Sequence, residues 1–310
     1  MHSEFDLINY IKARHNLNAI GDDCAVLPMN SKSDLLITAD MLVENIDFRL
    51  EWAKAEDIGH KSLAVSLSDI AAMGGTPTFA MISLAIPESV WKTDFIERFY
   101  EGWHALAGSF EVELVGGDIS KTEGPIVIDS TVMGSCDKGT AILRSTARPG
   151  DGIYVSGALG GAAGGLKLLE AGKRDDALSQ KQLRPKPHLI LGNILRIQQL
   201  ADAMIDLSDG ISSDLTHICR ASRVGAKLYA ERLPINKGLT TYFDGATALE
   251  LALSGGEDFE LLFTGNNDKI AKASIDGVIR IGEITTNAGV IEWVTTGGVK
   301  MLKPQGFVHF

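Results

Sequence analysis

The sequence predicts an α/β protein of two domains, and two observations carry this prediction. Short apolar segments typical of strands alternate with helical patterns along both halves of the 310 residues. A turn-rich segment, RSTARPGDG at 144–152, separates the two halves. We therefore expect an N-terminal domain over residues 1–143 and a C-terminal α/β domain over residues 144–310.

The first half contains predicted strands and helices in alternation. Residues 55–74 carry apolar side chains at roughly helical spacing and end at Gly74-Gly75, whereas residues 91–110 form an amphipathic helical pattern. The charge-free run 70–87 has the length of a membrane span, but its glycines and prolines indicate a helix end, a turn and a strand. Four segments read as strands: LLITADMLV (35–43), FAMISLAI (79–86), VELVGG (112–117) and IVIDSTVMGSC (126–136).

The second half opens with a predicted strand, IYVSG, which is followed by a glycine-rich loop and the helical segment AAGGLKLLEAG. Another helix, in RPKPHLILGNILRIQQL, is entered through two prolines. The helix that follows IDLSDG places Ile211, Leu215 and Ile218 on one face, and FELLFTG (259–265) reads as a strand.

Composition excludes several classes of protein. The net charge of −11 and the pI of about 5.1 argue against nucleic acid as the main partner, since phosphate backbones require a basic surface. Three widely spaced cysteines predict neither a disulfide framework nor a zinc site. They fit a reducing cytoplasm, and the N-terminal residues lack the pattern of a signal peptide. We expect a cytoplasmic protein that does not bind membranes.

Acidic residues recur at predicted strand ends and turns, mostly beside Gly or Ser. Each one alone is typical of a helix cap or a turn. Together, if they converge, their repulsion has to be offset, and hard cations with oxygen ligands offset it. The pattern therefore predicts a Mg²⁺ site that binds phosphates through the metal. The residues are Asp22, Asp23, Asp40, Asp47, Asp69, Asp118, Asp206, Asp209, Glu257 and Asp258.

The phosphate-binding elements are less well defined by the sequence. No GxxxxGK[ST] motif is present, but the glycines at 116–118 and 156–166 could offer backbone N–H groups to an anion. The second stretch equally fits a tight helix–strand packing turn. Arg144 is either a phosphate clamp or a surface residue, and Lys61 fits a solvated helix position.

Eight motifs, in order from about residue 4 to the C-terminus, resemble the thiamine-monophosphate kinases, a family within the superfamily of aminoimidazole ribonucleotide synthetase-like ATP-binding enzymes. They are GDDCAVL, TADMLVENIDF, KSLAVSLSDIAAMGGTP, LVGGD, RSTARPGDGIYVSG, IDLSDGISSDL, SGGEDFELLF and the terminal GFVHF. The resemblance implies direct in-line transfer of the ATP γ-phosphoryl group to thiamine monophosphate, assisted by several Mg²⁺ ions. It also implies a homodimer whose N-terminal sheets pair into a barrel across the interface.

The resemblance further implies roles for particular residues. It implies metal ligands at Asp23, Thr38, Ala39, Asp40, Asp69, Asp118, Asp206 and Asp209. It implies ATP contacts at Gly117, Asp118, Arg144 and Ser208, and contacts to thiamine monophosphate at Asp47, Glu257 and Phe307. The chain departs from the family pattern twice: Ala39 has no hydroxyl, so only its backbone carbonyl could reach a metal, and Asp47 stands where histidine is frequent.

Two alternatives stay open at this stage. Another ATP-dependent synthetase of the same superfamily would share most motifs, although the chain lacks the reactive Cys–Lys pair of selenophosphate synthetases and the C-terminal cysteine motif of the hydrogenase-maturation relatives. A non-catalytic Mg²⁺–nucleotide-binding protein would carry the same acidic turns. Release of ADP that depends on thiamine monophosphate separates both alternatives from the kinase.

Overall fold

Two β-sheets lie on either side of the turn that the sequence marks as a joint. The computed structural model describes residues 4–15, 17 and 19–303, without the side chains of residues 4–6. Helices over these residues are α1 Glu4–His15, α2 Ala55–Ala72, α3 Glu88–Trp91, α4 Phe95–Ser109, α5 Gly161–Glu170, α6 Asp176–Leu183, α7 Leu189–Ile197, α8 Ile211–Ser222, α9 Gly245–Ser254 and α10 Asn267–Ala273.

The N-terminal sheet has five strands in the order β1-β2-β5-β3-β4. All neighbours are antiparallel except β3 and β4, which run parallel. The sheet is open, with β1 and β4 at its edges, so no closed barrel exists within the described part of this single chain. Its strands are β1 Ala25–Pro28, β2 Ser33–Val43, β3 Thr76–Pro87, β4 Glu113–Thr122 and β5 Val127–Asp137.

The C-terminal sheet has seven strands in the order β12-β11-β8-β10-β6-β9-β7, and only β8 and β11 are parallel neighbours. Together the two sheets confirm the mixed α/β fold of two domains, with more antiparallel pairing than βαβ units would give. Its strands are β6 Gly152–Val155, β7 Ala203–Asp206, β8 Gly225–Tyr229, β9 Leu261–Gly265, β10 Ile279–Thr285, β11 Ile291–Thr295 and β12 Gly298–Met301.

Helix α2 is the central element of the molecule. It packs on the N-terminal sheet through β2 and β5, and it also contacts α4, α7 and β7. Its periodic apolar side chains Ile58, Leu63, Leu67 and Ile70 are all buried, as the spacing predicts. The apolar core around α2 continues into the C-terminal half, so one helix positions side chains from both halves around the same space.

Glycines allow the crossing of α2 and α4. A Cβ added to Gly59 would lie 1.9 Å from the Phe99 carbonyl oxygen, and a Cβ at Gly102 would lie 1.9 Å from the Glu56 carbonyl oxygen. The two helix backbones therefore touch, which no side chain larger than hydrogen permits.

The charge-free run at 70–87 folds as predicted. Helix α2 ends at Ala72, Gly74 adopts a positive φ of 68°, and β3 begins at Thr76. Among the described residues, none of the helices combines the length and apolar character needed to cross a bilayer. The predicted helix at 91–110 is shorter than expected, because a turn at Lys92–Asp94 separates α3 from α4.

Candidate functional site

Three carboxylates from distant parts of the chain converge beside strand β2 of the N-terminal sheet. Asp23 precedes β1, Asp69 lies on α2 and Asp206 is the last residue of β7. One carboxylate oxygen from each lies within 4.8 Å of the others. Sequence reasoning predicts all three as metal ligands, and the fold brings them together from both domains.

Strand β2 adds two more of the predicted residues. Successive residues of a strand point to opposite faces, so Thr38 and Asp40 both face α2. The Thr38 hydroxyl donates a hydrogen bond to Asp69, and the Ser66 hydroxyl donates one to Asp40 at 2.6 Å. Ala39 lies exposed on the other face of the sheet, so only its backbone could take part in this group.

Burial and mutual repulsion make these carboxylates hard to ionise. Burial, and then the charge of Asp23, raises the pKa of Asp206 to about 8. Burial, Asp129 and Asp23 raise the pKa of Asp40 to about 6, against the hydrogen bond from Ser66. The pKa of Asp69 is also well above its ordinary value, through burial and the charges of Asp40 and Asp206. A set of oxygen donors with this excess of negative charge fits a hard divalent cation such as Mg²⁺.

The predicted basic residue of the site is not a surface arginine. The Arg144 guanidinium donates to Asp23 at 2.6 Å, and its side chain is only 18% exposed. Its backbone N–H donates to Asp22 at 2.7 Å, and its carbonyl accepts from the Ser222 hydroxyl at 2.8 Å. These contacts hold the guanidinium beside the carboxylate group, where it offsets part of the charge.

The acidic segment IDLSDGISSDL contains carboxylates with two different roles: Asp206 belongs to the carboxylate group, and Asp214 stabilises a loop. Asp206 faces Asp23 and Asp69, whereas Asp214 accepts the backbone N–H groups of Asp209 and Gly210 at 3.2 and 3.0 Å and so closes the loop that precedes α8. Gly210 has a φ of 104°, and a Cβ there would lie 2.9 Å from the Gly255 oxygen. This close approach binds the loop to residues 254–257.

A cavity of about 470 Å³ lies beside the carboxylate group, between the N-terminal and C-terminal halves. Five predicted site residues line it: Asp40, Asp47, Ser208, Asp209 and Glu257. Several other lining residues are apolar. They include Leu42, Ile46, Phe48 and Trp52, and the Arg49 guanidinium lies 5.0 Å from the Trp52 ring centre. Such a cavity suits a ligand that is partly aromatic and partly polar.

Contacts that no sequence motif indicates hold two of the predicted substrate residues, Asp47 and Glu257. The Asp47 carboxylate accepts the Val43 backbone N–H at 2.7 Å, which fixes the turn after β2. The Glu257 carboxylate forms an ion pair with Lys61 at 2.5 Å and accepts a hydrogen bond from the Gln182 amide. The interpretation of Lys61 as a solvated residue is therefore wrong, because its side chain is buried in this pair.

Two predicted residues lie elsewhere in this chain. In the register of the sheet, Asp118 is aligned with Ser83, Asp129 and Met41 on the neighbouring strands. Met41 follows Asp40 directly, so Asp118 lies on the face opposite to Asp40. Gly117 is level with Asp40 but three strands away, which corresponds to roughly 14 Å at the usual strand spacing. Phe307 lies outside the described residues.

Two N–H groups of the glycine-rich stretch at 156–166 are already bound by a carboxylate of the chain. Asp258 already accepts the N–H groups of Gly160 at 2.5 Å and Ala162 at 3.0 Å, at the start of α5. The structure therefore favours the packing-turn interpretation, with a carboxylate of the chain in the place of an external anion.

Sequence reasoning overlooked several residues of the site. Ser66 and Asp129 influence Asp40, and Gln182 holds Glu257. A helical repeat on α2 could have revealed the face that turns toward the cavity, since Asp57, Lys61 and Val65 follow one another at intervals of four. Gln182 carries no local signal, because its partner lies 75 residues away.

In the metal-free protein, the melting temperature should fall as the pH rises from about 6.5 to 8.5. The folded state holds a proton on Asp206 up to a pKa of about 8, whereas the unfolded chain releases it near 3.8. The stabilisation is thus complete below about pH 4, falls between the two pKa values at a limiting rate of about 1.4 kcal/mol per pH unit, and is lost by about pH 8. Thermal melts in EDTA measure this slope.

Saturating Mg²⁺ provides the control for this pH series, because a bound cation keeps the carboxylates ionised across this pH range and should flatten the slope. His217 adds a slope of the opposite sign that ends at about pH 7.5, because burial and Arg144 lower its pKa to about 4 in the folded state, whereas the unfolded chain binds the proton near 6.5. A melting temperature that rises with pH in EDTA would contradict the arrangement.

Comparison with known proteins identifies the family. Residues 21–136 match the family model described as AIR synthase related protein, N-terminal domain, and residues 148–293 match the model of the C-terminal domain. A thiamine-monophosphate kinase of Bacillus subtilis is 39% identical over 278 residues, which cover 86% of this chain and 84% of the relative. One of Salmonella typhimurium is 37% identical over 305 residues, covering 94% and 91%.

Solved structures agree with the sequence matches. The structure of AaThiL complexed with AMPPCP and TMP superimposes with a TM-score of 0.89 at 34% identity, covering 99% of this chain and 97% of that one. The chain therefore belongs to the AIR synthase related family and, within it, to the thiamine-monophosphate kinases.

Proposed function

We propose that this protein transfers the γ-phosphoryl group of ATP to the phosphate of thiamine monophosphate, giving thiamine diphosphate and ADP. The observation that carries the proposal is that Asp40 belongs both to the cavity wall and to the carboxylate group. Asp40 lines the cavity and is electrostatically linked to Asp23 and Asp69, so a ligand's phosphates could lie at the carboxylates while its ring occupies the cavity. The related AaThiL, solved with AMPPCP and TMP, supports this assignment.

Asp23, Asp69 and Asp206 would hold Mg²⁺, together with Asp40 and Asp209. Bound there, Mg²⁺ would neutralise phosphate oxygens and the charge that develops during transfer. The carboxylates themselves repel phosphate, so their role is to fix the cation. The acceptor oxygen is already ionised at neutral pH, and the proposal therefore requires no general base.

Arg144 supplies a second positive charge at the same place. Its contact with Asp23 orients the guanidinium, which could also bind a phosphate of ATP in the bidentate manner of arginine. Ser208 and Asp209 lie on the cavity wall at the loop before α8, and Ser208 is the proposed ATP contact there. In this proposal Arg144 offsets the charge of the phosphates, and Ser208 helps to position ATP.

A homodimer is part of the proposal. The face of the N-terminal sheet that does not contact α2 exposes large apolar side chains, and a second copy of this face would cover them and close the two open sheets into a barrel. Gly117 and Asp118 lie on the outer strand β4 of this sheet, so their contacts to ATP or metal would depend on the dimer. A monomer mass in sedimentation equilibrium would argue against this arrangement. The exposed apolar residues on this face include Met41, Phe79 and Met81.

The proposal places the domain boundary between residues 143 and 144. Support comes from the short 3-10 turn Arg144–Thr146, which separates β5 from β6, and from the gap between the two family-model matches. The proposal also places the protein in the cytoplasm, where ATP is available and where the free thiols of Cys24, Cys136 and Cys219 would stay reduced.

The decisive experiment measures ADP from ATP and Mg²⁺ with and without thiamine monophosphate, with free thiamine as a control acceptor. We expect ADP only with the monophosphate, in equal amount with thiamine diphosphate. Consumption of ATP whatever the thiamine compound would favour another ATP-dependent synthetase of the superfamily. Nucleotide binding without any ADP would favour a non-catalytic Mg²⁺–nucleotide-binding protein.

A further inference from the structure

Lys61 is a buried cation on the cavity wall to which the proposed mechanism gives no role. Its side chain is 4% exposed, and its ammonium lies 2.5 Å from a Glu257 oxygen and donates to the Asp47 carbonyl at 3.1 Å. It therefore links the turn after β2, helix α2 and the loop of the C-terminal half. A buried ammonium is costly unless its charge is paired, so this link specifies one arrangement of the three segments.

Glu257 is held from both sides. One of its oxygens is paired with Lys61, and the other accepts the amide N–H of the buried Gln182. The backbone contributes as well, because Glu257 has a φ of 66° and its N–H donates to the Ser208 carbonyl at 2.8 Å. The carboxylate is thus fixed in direction, while its side chain remains 27% exposed.

The charge balance defines what Glu257 can do. Lys61 cancels its negative charge across 2.5 Å, so the pair attracts no cation through its net charge. Each carboxylate oxygen accepts more than one hydrogen bond, so lone pairs remain beyond those used by Lys61 and Gln182. An oriented acceptor of this kind suits a ligand that carries N–H donors, such as an aminopyrimidine ring.

We propose that Lys61 and Gln182 are positioning residues that hold the Glu257 carboxylate for recognition of the thiamine heterocycle. This inference rests on the proposed function. It assigns substrate recognition to a three-residue unit that joins both halves of the chain: Glu257 contacts the ligand, and the other two act through it.

The test compares Lys61→Met, Glu257→Gln and the double variant, with KM and kcat measured separately for each substrate. We expect Lys61→Met to raise KM for thiamine monophosphate by about tenfold or more while KM for ATP changes less than about twofold. The loss in the double variant should be much smaller than the sum of the two single losses, because Lys61 acts mainly through that carboxylate. Lys61→Arg should restore part of the affinity, since it keeps the charge.

Lys92→Met is the matched control. Lys92 forms an ion pair of the same length with Glu88, at 2.5 Å, but both side chains are largely exposed and lie away from the cavity. We expect its KM values to equal those of the unmodified protein. If Lys61→Met does not fold, Gln182→Met removes the other contact to Glu257 and should raise the same KM.

The outcomes separate the two proposals. An unmodified protein that does not phosphorylate thiamine monophosphate overturns the proposed function and this inference with it. An active protein whose folded Lys61→Met or Gln182→Met variant keeps its KM for the monophosphate overturns the inference alone. So does a double variant whose losses are the sum of the single ones.

Discussion

Asp206→Asn should remove most of the phosphoryl transfer and, at the same time, stabilise the metal-free protein. A neutral amide of the same shape cannot replace a carboxylate ligand, so we expect kcat/KM to fall by roughly 10²–10³-fold. In the absence of metal, the same change removes a buried carboxyl whose pKa is raised to about 8 by burial and by Asp23. The free energy of unfolding at pH 8 should therefore rise, by about 1 kcal/mol or more.

Both effects are measured on one preparation, by ADP release at saturating Mg²⁺ and by thermal melts in EDTA. The increase in melting temperature that Mg²⁺ gives to the unmodified protein should shrink in the variant. Asp276→Asn provides the control, because it makes the same chemical change at an exposed position between α10 and β10. Near-normal turnover by Asp206→Asn at saturating Mg²⁺ would remove Asp206 from the set of proposed ligands.

Gly102→Ala should destabilise the fold by about 3 kcal/mol or more, one of the largest effects expected of a single methyl group. The new Cβ would lie 1.9 Å from the Glu56 carbonyl oxygen, so α4 has to move away from α2. Helix α2 carries Asp69, Ser66 and Lys61, and a shift of this helix would also disturb the site. Chemical unfolding of the purified variant measures the loss.

Gly108→Ala is the matched control on the same helix. A Cβ at Gly108 has no neighbouring atom within 4 Å. Alanine is the better helix former, so this variant should be neutral or more stable by up to about 1 kcal/mol. Equal stabilities of the two variants would mean that α2 and α4 are not packed backbone to backbone.

Much of the fold follows from local patterns. Strand β2 and helix α2 lie within two residues of their predicted bounds, because an alternating or 3.6-residue pattern shows directly which side of an element is buried. Even the helix end, turn and strand in the charge-free run are encoded by Gly74 and Pro77. Helix α4 is shorter than its amphipathic pattern, since the turn at Lys92–Asp94 is set by contacts rather than by apolar spacing.

Part of the site also follows from local patterns, because its carboxylates lie beside recognisable turns. An excess of carboxylates at turns shows in the sequence, and the fold brings Asp23, Asp69 and Asp206 within 4.8 Å. Their ligand roles stay predictions. The face on which Asp118 lies is not visible in its motif, because it depends on the register of β3, β4 and β5.

The sequence by itself therefore determined the fold class, the family resemblance and the acidic, phosphate-directed chemistry. These depend on composition and on patterns that span few residues. The tertiary structure decided which partners neutralise which charges: Arg144 with Asp23, Lys61 with Glu257, and Asp258 with the N–H groups of the glycine loop. Each of these pairs joins residues about 100 or more positions apart, and electrostatic interactions depend on distance in space, which no local pattern records.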